Sequence, residues 1–222
     1  LEHSLRSYLL CVWGLDASLM PMSGLEQSRA RMHDAGINQR AIDVFAAFYD
    51  QLAGGAIGLI PEADVDPLEH IDHAASLSVS DEQIREATAQ TVVIKLNGGL
   101  GTSMGLDKAK SLLPVRRDMT FLDVIVTQVQ NVRRTWDVRL PVLRMNSFRT
   151  QEDTLQALAR HADLAVDGLP LDFLQRSEPK LRADDLTPVE WPDDPSLEWC
   201  PPGHGDLYTS LDATGILDQL LE

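Results

Sequence analysis

The chain of 222 residues has only two cysteines, Cys11 and Cys200. They are too few and too far apart for a disulfide scaffold or a zinc site, and a reducing cytosol is the expected compartment. Basic residues are scarce as well. Against 34 Asp and Glu there are 19 Lys and Arg, a net charge of −15. With no basic tract to offset it, this argues against a nucleic-acid binder. A phosphorylated ligand stays open, because local lysines and backbone N–H groups override the global charge. There is no apolar run long enough to span a membrane, no internal repeat and no low-complexity tract. What remains, 44% hydrophobic and 24% charged residues, is the composition of a globular domain with a real core.

The first residue is Leu1, not Met. Arg6 followed by Tyr8–Trp13 faintly imitates a signal peptide. Its apolar run is shorter than the usual ~7–15 residues, and Asp16 soon interrupts the stretch beyond it. Residues 1–22 are therefore expected to be a leader, disordered or artefactual, with the protein proper starting near Met20 or Met22.

The chain is organised around Thr91–Lys110. The apolar run Val92–Leu96 feeds a glycine-rich turn, Asn97–Gly105, and two lysines come next, Lys108 and Lys110. A buried strand that delivers a glycine turn to its carboxyl end lets N–H groups approach phosphates, and a lysine adds charge. Gly99-Leu-Gly101-Thr-Ser-Met-Gly105 fits neither G-x-G-x-x-G nor the Walker A spacing. Taken alone, the glycines indicate a phosphate or nucleotide loop and nothing narrower.

Before that stretch, residues 23–90 read as a helical segment. Ser23 is placed to cap a helix to about His33, and Asn38 a second one ended by Gly54-Gly55. Ile42, Phe45, Phe48, Tyr49 and Leu52 are expected on one packed face. Residues 56–79 read as irregular, with His70 and His73 as surface histidines rather than metal ligands. Ser80-Asp-Glu-Gln83 is a capping box.

After it, Ser111–Val115 reads as extended and Thr120-Phe-Leu-Asp123 as another capping box. That box opens a helix with Leu122, Ile125, Val126, Val129 and Val132 at helical spacing. Pro141–Met145 and Leu171–Leu174 read as strands, and Thr150–Asp153 as the cap of a helix between them. Residues 182–198, rich in Asp, Glu and Pro, read as an exposed loop. Pro201-Pro-Gly-His-Gly205 presents one imidazole, His204, in a rigid glycine frame. Asp206 then caps a helix carrying Leu207, Leu211, Ile216, Leu217 and Leu220. Strands alternating with helices imply βαβ units around a parallel sheet.

Leu96-Asn-Gly-Gly-Leu-Gly-Thr-Ser-Met-Gly105 with Lys110-Ser111 resembles the nucleotide loop of the UTP–glucose-1-phosphate uridylyltransferases (UDP-glucose pyrophosphorylases). Thr120-Phe-Leu-Asp123, Pro141-Val-Leu-Arg-Met-Asn-Ser-Phe148 with Glu152-Asp-Thr154, Phe173-Leu-Gln175 with Pro179-Lys180, and Pro201-Pro-Gly-His-Gly-Asp-Leu-Tyr208 match further motifs in the same order. The resemblance runs over roughly residues 24–222 and is dense from 91 onward.

It implies a Rossmann-like α/β nucleotide-diphospho-sugar transferase domain, with a parallel-rich mixed sheet and helices on both faces. Residues 91–222 would be the first part of that domain, its later half and a β-helix domain lying beyond Glu222. Leu96, Asn97, Gly98 and Gly99 would hold the uridine nucleotide through their backbone, with Gly98 and Gly99 also near the sugar phosphate. Lys110 would contact the phosphate and metal region, where the family's Gly-Pro before this lysine is replaced by Lys108-Ala109. Gln175 would read the uracil edge, Gly203 would make a second uracil contact, and His204 would bind the hexose 1-phosphate. The implied reaction joins UTP and glucose 1-phosphate into UDP-glucose and pyrophosphate with Mg²⁺, whose aspartate ligand and a second lysine would also lie beyond Glu222. A non-catalytic uridine-binding fragment and an N-acetylhexosamine-1-phosphate uridylyltransferase are the alternatives.

Overall fold

The computed structural model describes residues 22–100, 105 and 108–222. The expected leader up to residue 21, Cys11, and the loop residues Gly101–Met104, Leu106 and Asp107 lie outside the described residues. Two compact units are present. Of the described residues, one comprises those up to Ile57 together with Glu178–Cys200, the other those within Gly58–Ser177 with Pro201–Glu222.

In the first unit, helix α1 (Gly24–Asp34) starts at a capping box in which Ser23 and Glu26 bond reciprocally. Asn38 caps α2 (Gln39–Ala53) through Arg40 N–H. Their shared core is Met32, Ile42 and Phe45, with Tyr49, Leu181 and Trp199 packed against it. The expected aromatic face is narrower than its spacing suggested. Phe48 is 65% exposed because at 100° per residue it sits on the flank of the Ala41–Ile42–Phe45–Ala46 stripe, whereas Leu52, in line with Phe45 but in the last turn of the helix, is 46% exposed. The 182–198 segment also departs from a simple solvated loop. Pro188 is buried, and Arg31 donates to Val189 O (2.8 Å), Glu198 (3.0 Å) and Glu190 (3.1 Å).

The second unit opens with two 3₁₀ turns in an exposed stretch, then α3 (Asp81–Ala89), begun by the Ser80–Gln83 capping box. Next come β1 (Val93–Asn97), β2 (Pro114–Arg116), β3 (Met119–Thr120) and α4 (Phe121–Trp136). They are followed by β4 (Val142–Asn146), α5 (Gln151–Leu158) and β5 (Asp172–Leu174). Two short helices, α6 (Asp206–Ala213) and α7 (Ile216–Leu221), close it. The ribbon β6 (Glu178–Pro179) and β7 (Trp199–Cys200) belongs to the first unit.

The central sheet runs β1–β4–β5 and is parallel throughout, with Asn97 beside Asn146 and Arg144 beside Asp172. The antiparallel pairing lies in the separate ribbons β2–β3 and β6–β7. Alternation along the strands sorts side chains onto two faces. Val93 and Val142 pack with Leu122, Val126 and Val129 of α4 and Leu158 of α5. Ile94, Leu96, Leu143, Met145 and Phe173 pack with Leu211 of α6 and Ile216 of α7. Each fully buried side chain of this kind contributes about 1.5–3 kcal/mol.

Three local expectations need correction. Lys110–Leu112 is a 3₁₀ turn, so the extended segment begins only at Pro114. The Thr150 side chain does not cap α5, because its hydroxyl is held by Ser147, accepting from Ser147 N at 3.0 Å. Asp206 does not cap α6 either. It is the first helical residue, 5% exposed, and its carboxylate points back to Arg176. The helix it was expected to open is broken at Gly215, which takes a φ of 70°.

Candidate functional site

The site forms where β1, β4 and β5 end. A buried polar network locks these ends together. Asn97 Nδ2 donates to Asn146 Oδ1 (2.7 Å) and Thr154 Oγ1 (2.9 Å), and Ser111 Oγ donates to Asn97 Oδ1 (2.6 Å). Asn146 Nδ2 continues to Asp172 Oδ2 (2.9 Å), which also accepts from Gln151 (2.9 Å). Every member is satisfied, so the network rigidifies the floor rather than weakening it. The Asn97 amide is therefore engaged within the protein on both its N–H groups.

The chain then turns at Gly98 and Gly99. Gly98 O accepts from Ser147 Oγ (3.0 Å), and Gly99 O accepts from Lys110 N (3.1 Å). Leu100 pairs with Ala109 in an antiparallel bridge, which closes the glycine loop at its base. Both glycine carbonyls are thus tied back into the protein. Among the described residues neither glycine N–H has an acceptor, which leaves the turn's donors for a ligand.

A cavity of about 780 Å³ opens over this turn, within the range of about 300–1,000 Å³ typical of small-molecule sites. Leu96, Asn97, Gly98, Gly99, Lys110, Gln175, Gly203 and His204 all line it. Gln175 reaches it from the end of β5, and its Nε2 donates to Gly203 O at 3.0 Å. Gly203 holds a φ of +109°, a conformation that side-chain-bearing residues rarely adopt. Of the two loop lysines, Lys110 lines the cavity, whereas the Lys108 ammonium stands 3.8 Å from Asp153.

Other lining residues were not assigned to the site from the sequence: Lys95, Ser111, Leu113, Phe121, Ile125, Met145 and Pro201. Lys95 had a legible signal, a lone charge within the apolar run Val92–Leu96. The lining carries two lysines and no carboxylate among its described residues. Nor do the described residues hold any group of three His, Cys, Asp or Glu that could bind a metal.

Outside the cavity lining, Asp123 stands in the first turn of α4, where its carboxylate closes the Thr120 capping box. Burial pushes its carboxyl up, but bonds from Thr120 N–H, His161 and the Thr120 hydroxyl, with Arg160 nearby, outweigh this and hold it at about 2. On the α4 face of the sheet Arg144 is fully buried, and none of its three guanidinium nitrogens has a hydrogen-bond partner among the described residues. Burial brings it down to about 10, with Asp172 opposing.

A parallel α/β sheet with a donor-rich glycine turn, a lysine and an amide gathered at its strand ends has the arrangement of a nucleotide-binding α/β domain. The sequence profile of the UTP–glucose-1-phosphate uridylyltransferases matches residues 43–222. The chain belongs to that family. It is 39% identical over 151 residues to the UTP–glucose-1-phosphate uridylyltransferase of Solanum tuberosum, covering 68% of this chain and 31% of the relative. For the Saccharomyces cerevisiae enzyme of that name the identity is 42% over 134 residues, covering 60% and 26%. A Leishmania major UDP-glucose pyrophosphorylase mutant in complex with UDP-glucose superposes with a TM-score of 0.81 at 35% identity. That match covers 91% of this chain and 42% of the Leishmania chain. The chain thus spans between about a quarter and two-fifths of the length of these relatives. Among the described residues no helix is long and apolar enough to cross a membrane.

Proposed function

We propose that this chain provides the uridine and sugar-phosphate side of a uridylyltransferase site, which converts UTP and glucose 1-phosphate into UDP-glucose and pyrophosphate. The observation that carries the proposal is the convergence of Lys110, Gln175, Gly203 and His204 on the Gly98–Gly99 turn in one cavity. The N–H groups of that turn, which have no acceptor among the described residues, suit phosphate oxygens, and Lys110 adds a charge to them. The Gln175 amide offers an acceptor and a remaining N–H to the uracil edge, a combination that suits the N3–H and a carbonyl of uracil. His204, exposed at the cavity wall, takes the hexose 1-phosphate.

In the reaction a phosphate oxygen of glucose 1-phosphate forms a bond to the α-phosphorus of UTP. The bond from that phosphorus to the bridging oxygen breaks, and pyrophosphate leaves. No covalent enzyme intermediate is required. The residues named here act by positioning and by neutralising charge.

Magnesium as the metal and the cytoplasm as the compartment are part of the same proposal, the first by resemblance and the second from the cysteine content. The described cavity lining holds no carboxylate, so it does not by itself make a cation site, and no step is routed through the metal.

Calorimetric titration with UDP-glucose and UTP tests the proposal. Binding of both, with CDP-glucose at least tenfold weaker, is expected. Equal affinity for the uracil and cytosine compounds, or heat from neither uridine ligand, would overturn it. Adding glucose 1-phosphate or N-acetylglucosamine 1-phosphate to the UTP complex separates the two sugar assignments, with glucose 1-phosphate expected to bind more tightly.

A further inference from the structure

Gln175 and Gly203 meet across the cavity, and immediately beyond them a second, buried contact joins the same two segments. The Asp206 side chain is 1% exposed and accepts from three donors. These are Arg176 N–H at 2.9 Å, the Arg176 guanidinium, and Ser210 Oγ at 2.9 Å. Two of the three come from the residue next after Gln175, and Asp206 itself lies two residues after His204.

We propose that the Arg176–Asp206 pair is a positioning device that holds the end of β5 and the Gly203–Gly205 loop at a fixed separation, so that the Gln175 amide and His204 face a single ligand. The proposal rests on the uridine reading of the cavity. Three observations support it. First, the bond from the Arg176 main chain fixes the plane of the peptide joining it to Gln175, and so the direction in which Gln175 leaves the backbone. Second, the Gln175–Gly203 bond is solvent-exposed and competes with water. The buried pair one residue away is shielded from that competition and keeps the two groups in reach of one another. Third, the pair is poorly built for stability. Arg176 Nε and Nη1 are buried with no hydrogen-bond partner among the described residues, and an incompletely satisfied buried ion pair adds little over apolar packing. Its effect is therefore geometric.

Neither residue lines the cavity, so both act through Gln175 and His204. Arg176→Met is the informative variant, since Asp206 retains its bonds to the Arg176 main chain and to Ser210. Two signals are read: the Gln175 side-chain amide resonances in a ¹⁵N-labelled chain, and calorimetric binding of UDP-glucose and of inorganic pyrophosphate. The variant is expected to melt lower, because the Asp206 carboxylate stays buried without its counter-charge, yet to remain folded, to shift the Gln175 amide toward solvent-like values as Gly203 leaves its reach, and to bind UDP-glucose about tenfold more weakly, the loss of one well-placed hydrogen bond. Pyrophosphate affinity, which needs only the turn and Lys110, stays the same. Arg176→Lys restores part of both signals.

An unmoved amide resonance with unchanged affinity overturns the proposal. So does a drop in melting temperature that carries UDP-glucose and pyrophosphate binding down together, since a purely structural role would do that. Should the double variant Arg176→Met, Asp206→Leu fold and bind UDP-glucose as the parent does, the proposal also fails. A parent chain that binds no uridine ligand sinks the uridine reading, while the amide resonance still decides whether the pair positions Gln175.

Discussion

Gly98 and Gln175 stand so close that a β-carbon on Gly98 would lie 2.7 Å from Gln175 Oε1. The obstructed atom is the far end of a flexible side chain, so the amide moves and the backbone does not. Gly98→Ala should therefore leave the melting temperature within about 2 °C of the parent, a surface-like perturbation. It should still weaken UDP-glucose binding about tenfold by displacing the amide from Gly203. Gly99→Ala is the control, because its β-carbon would meet the Lys110 stem only at 3.9 Å, an ordinary contact. Calorimetry on the two alanine variants reads the difference, and equal losses would contradict it.

Lys110 lies against Gly99, and its own N–H closes the loop. Lys110→Met keeps the backbone bond and the stem but removes the ammonium. UTP affinity should fall about 10–100-fold, as expected for a charge-assisted hydrogen bond, with uridine affinity unchanged. The loss should shrink at high salt. Lys108→Met, which removes only the longer contact with Asp153, should change UTP binding little.

Arg144 is a cost in the core. Its guanidinium is fully buried without a hydrogen-bond partner among the described residues. Arg144→Met, close to it in length, replaces a charge by an apolar stem among α4 and α5 side chains. It removes a buried charge without hydrogen bonds while Asp172 keeps its bonds from Asn146 and Gln151, and should stabilise the fold by about 1–3 kcal/mol. Urea unfolding checks this, and a lower midpoint for the variant would show that the guanidinium is compensated.

Asp123 sets an acid limit. Its carboxyl titrates at about 2 in the folded chain, against an ordinary value of 3.8. A depressed folded value stabilises the fold above the unfolded value, and that contribution is lost as pH falls through the folded one. About 2 kcal/mol should disappear between about pH 5 and pH 2. Urea midpoints across that window should fall in the parent and stay flatter in Asp123→Asn.

Much of the fold is legible in local signals. The helix cap at Ser23, the capping boxes at Ser80 and Thr120 and the strands read over Val92–Leu96 and Pro141–Met145 are set by short-range chemistry, and the structure keeps them to within a residue. Departures arise where a residue has two available partners. Thr150 and Asp206 both look like caps from spacing, yet one bonds Ser147 and the other Arg176, contacts that exist only after the strands are assembled. Phe48 departs because an aromatic residue at helical spacing does not show how wide the buried stripe is. The site residues rest on the resemblance, since the glycines alone fit neither standard fingerprint. The Arg176–Asp206 pair leaves no local trace, because its members are brought together only by the folded loop.

The Asn97 network has a consequence for anyone who would redesign this pocket. Both Asn97 N–H groups and its oxygen are committed to Asn146, Thr154 and Ser111. Swapping that side chain would dismantle the foundation without touching the ligand. Base preference should be adjustable instead at Gln175 and Gly98, which can be altered while the foundation stands. A library varied at those two positions and fixed at Asn97 should yield folded proteins with new preferences; one varied at Asn97 should mostly yield misfolded ones.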